Sequence, residues 1–438
     1  GLMICRSKGT SLVNNTFVNC GVLFVHSYGN MVYGNVVNGL PLVCIEDERN
    51  IEISYRAGQI ILVNCSNITI RDQTMRNVAV GISLYRSNSV EIFNCTARNN
   101  SPYGIYVESS KNISIIDFVA TECRCGVCLD CVVGAEISNT YIIRGRDGVK
   151  IKDSLKCSIF STELYYNSRI GMYAYNAGEL AILNSSIPTY GKAIEIQNSD
   201  KCTVHLCQIF PGRGIYIIES TRCTIISNDI EYGDYGIKVF RSEDILIANN
   251  NIGSLMNGNA MTVVESYNCT IKENYINRII WGEGIVVRLS EACRILNNTV
   301  RECYGASVKL WNSHNNIIVG NKFYECSMII FGSYRNVVRD NLVNDKPLVY
   351  LEGISDVKVS GNAGQIIVVN CTNVTISNCT MQEAVAPIIF WDVEDGKIIN
   401  NRIIGCRMYG IYIGKSRYCL IVDNTIANNS LFGLFINM

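Results

Sequence analysis

A glycine followed by alternating apolar residues returns every twenty-odd positions, and that spacing constrains the fold more than any other feature of the chain. It reads Gly81-Ile82-Ser83-Leu84, Gly104-Ile105-Tyr106-Val107, Gly126-Val127-Cys128-Leu129, Gly148-Val149-Lys150-Ile151 and Gly171-Met172-Tyr173-Ala174. It continues at Ala193-Ile194, Gly214-Ile215, Gly236-Ile237, Ala260-Met261 and Gly284-Ile285, and returns at Gly410-Ile411 and Gly433-Leu434. Nine steps from Gly81 to Gly284 cover 203 residues, about 22.6 each. Within each unit apolar residues alternate over three to five positions, and Ile, Val, Tyr and Thr dominate. Short strands separated by Asn, Ser, Asp and Gly turns are therefore predicted, and helix is not.

Some thirteen residues after the glycine stands a second marker. It falls on Asn94, Asn139, Asn184, Asn228, Asn250, Asn274, Asn298, Asn321, Asn341, Asn378, Asn401 and Asn424, with Asp117 in the same series. Asn tolerates the left-handed conformation of a tight turn, and stacked turns would set these amides in a ladder. Nine residues past the glycine, Val90, Ile113, Ala135, Cys157, Leu180, Cys202, Cys223, Ile245, Cys269 and Cys293 form a third column. Because thiols alternate there with aliphatic residues, they read as compact apolar fillers of an inward stack.

Three short strands per turn, each pairing with its equivalent one turn later, describe an all-β, single-stranded parallel β-helix of about 19 coils of about 22 residues. One continuous domain over residues 1–438 is expected. Composition agrees: 38 basic and 38 acidic residues balance, which argues against a nucleic-acid partner, and 17% charged with 48% apolar residues excludes a disordered chain. No apolar run approaches the roughly 20 residues of a transmembrane segment.

The stretch Lys346-Pro347-Leu348-Val349-Tyr350-Leu351-Glu352, followed by Ala363-Gly364-Gln365-Ile366-Ile367-Val368-Val369-Asn370-Cys371, has a counterpart 306 residues upstream. There Pro41-Leu42-Val43, Glu46, Ala57-Gly58-Gln59-Ile60 and Asn64-Cys65 occur in the same order, and Tyr103-Gly104-Ile105-Tyr106 matches Tyr409-Gly410-Ile411-Tyr412. A duplication of residues 33–107 in 339–413 is expected. With its coil repeat, the chain resembles the NosD-like, PbH1-repeat class of right-handed parallel β-helices, particularly the archaeal cell-surface kind. That resemblance implies the right hand of the coil and brings a periplasmic role in copper-site maturation. A copper donor needs clustered Met, Cys or His, and His26, His205 and His314 are widely separated.

Chemistry-bearing groups are sparse. Cys123, Cys125, Cys128 and Cys131 have metal-like spacing, but the repeat register disperses them; a metal set, a local disulfide such as Cys125 with Cys128, and unpaired thiols remain alternatives. The acids Glu46-Asp47-Glu48, Glu243-Asp244 and Glu394-Asp395 fall at turns. Outward positions two past the glycine read Tyr106, Lys150, Tyr173, Glu195, Tyr216, Lys238 and Tyr412, a face with rings suited to sugars. No catalytic, cofactor or metal residue is assigned.

Twenty-one cysteines point to an oxidising compartment, with buried apolar thiols as the alternative. Thirteen Asn-x-Ser/Thr sequons, at Asn14, Asn64, Asn67, Asn94, Asn99, Asn112, Asn184, Asn268, Asn297, Asn370, Asn373, Asn378 and Asn428, lean the same way. Both ends fall in phase with the repeat, so covalent continuation or end-to-end self-association is expected. The resulting expectation is an extracellular structural protein, in a surface filament, surface layer or adhesin stalk, with glycans as partners. A carbohydrate-active enzyme or glycan-binding module is the rival.

Overall fold

The structure, a computed structural model, describes residues 1–437 and separates into two compact units, Gly1–Thr224 and Ile225–Met438. Each is a right-handed parallel β-solenoid with turns of about 22 residues. Every regular element among the described residues is a strand, so no helix is long and apolar enough to cross a membrane.

In the first unit, equivalent strands of successive turns pair in register. Ile60, Ile82, Ile105, Val127, Val149, Met172, Ile194 and Ile215 lie over one another through a run of parallel pairings. All are buried, and so is the column from Val90 to Cys223. A second parallel sheet contains Ser66–Arg71, Asn88–Phe93 and Lys111–Ile116, and a third contains Thr74–Arg76, Thr96–Arg98 and Val119–Thr121. Period-two alternation places one aliphatic face inward on each sheet, and stacking places like residues together. The second unit repeats this plan, for example with Met261, Ile285 and Val308 in one column.

The corners are turned by non-glycine residues in the left-handed conformation. All thirteen sequon asparagines are among them, with φ from 44° at Asn184 to 56° at Asn428. Twelve are exposed and Asn268 is half-buried. The sequon density therefore has a structural origin: a left-handed Asn precedes a strand whose first residues are Thr or Ser.

In the second unit the amides of Asn228, Asn250, Asn274, Asn298, Asn321 and Asn341 are buried one above another. Asn250 donates its backbone N–H and its side-chain Nδ2 to Oδ1 of Asn274, at 2.9 and 3.0 Å. Asn274 does the same to Asn298, at 3.0 and 2.9 Å, and Asn401 repeats the pattern with Asn424. Asn94, Asn139, Asn184 and Asn378 do not belong to this column. They sit one residue earlier, and the buried places are filled by Cys95, Thr140, Ser185 and Cys379. Both adjacent positions favour Asn, one for its left-handed backbone and the other for its stacking amide, and a slip of one residue reverses the face.

Asn274→Ala is expected to cost about 2–4 kcal/mol, since it strands the buried backbone N–H of Asn250 and the carbonyl of Ile247. Asn184→Ala should cost about 1 kcal/mol, the left-handed strain alone. Denaturant titration of both variants checks the contrast.

A serine column, six residues past the glycine, adds to those expected from the sequence. The backbone N–H of Ser87 donates to Oγ of Ser110 at 3.0 Å, and Ala177 to Ser199, Ser242 to Ser266 and Ser266 to Ser290 follow suit at 3.0–3.1 Å. These hydroxyls satisfy corner N–H groups that no strand reaches.

Two departures from parallel pairing occur. Val36–Val37 runs antiparallel to Leu40–Glu46, with Val36 opposite Pro41 and Val37 opposite Leu40. In the second unit Leu342–Val343 runs antiparallel to Lys346–Glu352, with Leu342 opposite Pro347. The turns are Asn38-Gly39 and Asn344-Asp345, whose residues all have positive φ (51° and 81°, 49° and 58°). Two consecutive left-handed residues make the two-residue hairpin that reverses a strand tightly. The solenoid thus changes direction once within each unit.

Candidate functional site

Each reversal builds a joint, and the two joints are made by equivalent residues 306 positions apart. In the first, Val22 donates its backbone N–H to Oε1 of Gln59 at 2.9 Å, and Nε2 of Gln59 donates back to the Val22 carbonyl. In the second, Met328 donates to Oε1 of Gln365 at 2.9 Å, and Nε2 of Gln365 donates to the Met328 carbonyl at 2.6 Å. Both glutamines are fully buried. Around them the correspondence continues. Asn19 N–H donates to Asn38 Oδ1 and Glu325 N–H to Asn344 Oδ1. Asn38 Nδ2 donates to the carbonyl of Arg76, and Asn344 Nδ2 to that of Gln382. Glu46 Oε1 accepts from Gly29 N–H, and Glu352 Oε1 from Arg335 N–H.

What the clamp holds is an apolar contact on the outer face of a sheet. Ile61, Val63, Tyr85 and Tyr106 point away from the solenoid interior yet are 7% exposed or less, because the turns before Asn38 cover them. Leu23 joins Val80, Tyr106, Cys125 and Cys128 in a small second core. At the second joint Ile367, Val369, Ile389, Trp391 and Tyr412 are the equally buried outer residues. There the ring of Phe331 lies 5.4 Å from Trp391 and 4.9 Å from Tyr412. Burial pushes the Cys128 thiol up to about 12 and raises Tyr106 well above its ordinary value. His26 Nδ1 lies 2.9 Å from the Glu108 carboxylate; burial raises Glu108, and His26 partly offsets that rise.

Beside the first joint opens a cleft of about 830 Å³, lined by Val18, Asn19, Asn38, Arg56, Gln73 and Arg76 among others. Both guanidinium groups are exposed, and among the described residues neither is ion-paired. The nearby carboxylate of Asp72 accepts from Asn94 Nδ2 at 2.6 Å and lies 3.5 Å from Arg71 Nε.

The other sequence-derived candidates disperse. Cys123 is buried inside the coil, Cys125 and Cys128 lie in the outer core of the joint, and Cys131 is exposed at a corner. Cys128 is covered rather than solvent-facing because the first turns lie over it. All twenty-one cysteines are free thiols, and only Cys5 and Cys131 are exposed, so the rest act as small apolar side chains and carry no compartment information. The paired acids serve their own corners: Asp47 accepts from Asn64, Asp244 from Asn268, and Glu394 pairs with Arg417 at 3.1 Å. Tyr106, Tyr216 and Tyr412 are buried, so the outward positions present no continuous aromatic face.

Residues 179–353 and 330–438 match the family described as periplasmic copper-binding protein (NosD), and residues 1–133 and 80–218 match the right-handed β-helix region. No curated protein matches the chain. Among solved structures, the periplasmic alginate epimerase AlgG is 12% identical, with a TM-score of 0.44 over 66% of this chain and 76% of its own. PfbA, a surface adhesin of Streptococcus pneumoniae, is 12% identical, with a TM-score of 0.47 over 62% and 84%. DFA-IIIase from Arthrobacter chlorophenolicus A6 is 11% identical, with a TM-score of 0.43 over 64% and 84%.

Copper is a poor fit to the residues present. His26 is engaged by Glu108, and His314 accepts from the backbone N–H of Tyr334 at 3.2 Å. Burial holds Cys95, Cys123 and Cys207 up at about 11, which disfavours thiolate ligands. The group of ligand atoms that does converge within 4.8 Å, Asp130, Cys131 and Asp153, is largely exposed and mostly carboxylate, whereas copper(I) selects soft donors. Family membership here is carried by the coil and its columns, not by a metal centre: the chain belongs to the NosD family of right-handed parallel β-helix proteins.

Proposed function

We propose that this is a structural protein working outside the cytoplasm, in a surface filament, surface layer or stalk, whose length is built by repeating a solenoid module of 306 residues. The observation that carries this reading is the joint. Its glutamine clamp, asparagine hairpin and outer apolar face recur bond for bond, while acids capable of catalysis do not recur with them. A scaffold gains length from copying a joint; a catalyst gains nothing from copying one that holds no reacting groups. The periplasmic description of the family and the thirteen surface sequons are consistent with such a location and with glycan attachment.

Electron microscopy of the native full-length product tests this. Extended assemblies of uniform width, with no product released from a panel of acidic and neutral polysaccharides, are expected. Compact monomeric particles that depolymerise or epimerise one of those polysaccharides would overturn it.

A further inference from the structure

The two joints share a skeleton but differ in the space beside it. At the second joint the positions equivalent to Val18, Asn19 and Gly39 are Tyr324, Glu325 and Asp345. The Tyr324 hydroxyl donates to Asp345 Oδ1 at 2.9 Å, and Arg407, equivalent to Ser101, reaches Glu325 Oε2 at 2.7 Å. The second joint therefore closes its flank with its own side chains. The first joint keeps smaller residues at all four positions, and the flank stays open as the 830 Å³ cleft. Where the second joint has neutral Asn362 and Gln382, the first has Arg56 and Arg76.

We propose that this cleft binds an acidic oligosaccharide, with Arg56 and Arg76 receiving carboxylates on neighbouring sugars. Guanidinium groups match carboxylates in a bidentate fork and hold their charge at every working pH. Neither arginine is ion-paired among the described residues. The remaining lining is largely amide and hydroxyl, from Asn19, Asn38, Gln73, Thr74 and Asn77, which suits sugar hydroxyls and offers no aliphatic pocket for peptide side chains. Exposure of both guanidiniums makes the interaction sensitive to salt. This site is independent of the structural role, since a scaffold with or without it holds together in the same way.

The experiment is calorimetric titration of the whole chain with trigalacturonate, maltotriose and inorganic sulfate in low salt. The variant is Arg56→Asn with Arg76→Gln, which copies residues the chain already carries at the second joint and so preserves the fold; circular dichroism verifies that. Trigalacturonate should bind, weaken at least 10-fold in the variant, and weaken further as salt rises, while maltotriose does not bind. Absent binding at millimolar trigalacturonate, equal binding by the variant, or full displacement by sulfate at matched charge would each overturn the proposal.

Discussion

Raising the pH from 9 to 11 is expected to unfold the first unit under reducing conditions. Cys95, Cys123 and Cys207 are held up at about 11, and Cys128 at about 12, against an ordinary value of 9.0, in each case chiefly because burial disfavours the thiolate. A group raised in the folded state contributes stability that is complete below its unfolded value and is lost as pH climbs through its folded value. A tenfold change in acidity corresponds to about 1.4 kcal/mol, so each of the four thiols forfeits about 2–3 kcal/mol by pH 11. Their sum, about 10 kcal/mol, is of the order of the entire stability of a domain. Tyr103 and Tyr106, raised by the same burial, act in the same direction. Denaturant titrations at pH 8, 9, 10 and 11 should show a steep alkaline decline. Cys95→Ser with Cys207→Ser should flatten it, because their column already accepts Thr140, Thr162 and Ser185. Stability unchanged to pH 11 would mean that these thiols are not buried as described.

Removing the clamp should release one joint and leave its solenoid intact. Gln59→Ala deletes both hydrogen bonds to Val22 and leaves a buried N–H and a buried carbonyl unpaired, a cost of about 2–4 kcal/mol. The loss falls on residues 1–37, whose hold on the outer sheet face otherwise consists of Leu23 and its neighbours. Hydrogen exchange should accelerate at Val22–Val25 while Ile105 and Val127 stay protected. Gln365→Ala should do the same around Ile329–Phe331, moderated by Phe331 between Trp391 and Tyr412. Exchange that rises uniformly through the unit would show instead that the clamp belongs to the solenoid core.

The coil and its inward columns were legible because identical demands recur every 22 residues, so that Ile82, Ile105 and Val127 announce one another. The Asn column was half legible: Asn250, Asn274 and Asn298 are buried amides, whereas Asn94 and Asn184 are corner residues one step away that use the same side chain for a different reason. The serine column carries as clear a signal, at Ser87, Ser110 and Ser154, but a short hydroxyl in such a place reads as turn chemistry. The reversals had a signal too. Ile60-Ile61-Leu62-Val63 and Ile366-Ile367-Val368-Val369 do not alternate, and an unbroken apolar run marks a strand buried on both faces. What covers the second face depends on the path of turns 37 residues away, from Val22 to Gln59, and no local pattern encodes that path. The arginine cleft was invisible for the same reason, since Arg56, Arg76 and Val18 belong to three different turns.

Spin labels placed through noncanonical residues at Tyr28 and Arg86, and separately at Tyr334 and Asp392, test the repeated joint most directly. The first pair is in contact, with the Arg86 guanidinium 5.1 Å from the Tyr28 ring, and the second is hydrogen-bonded at 3.2 Å. Two short, superimposable distance distributions are expected. A long or broad distribution for either pair would contradict a joint copied every 306 residues.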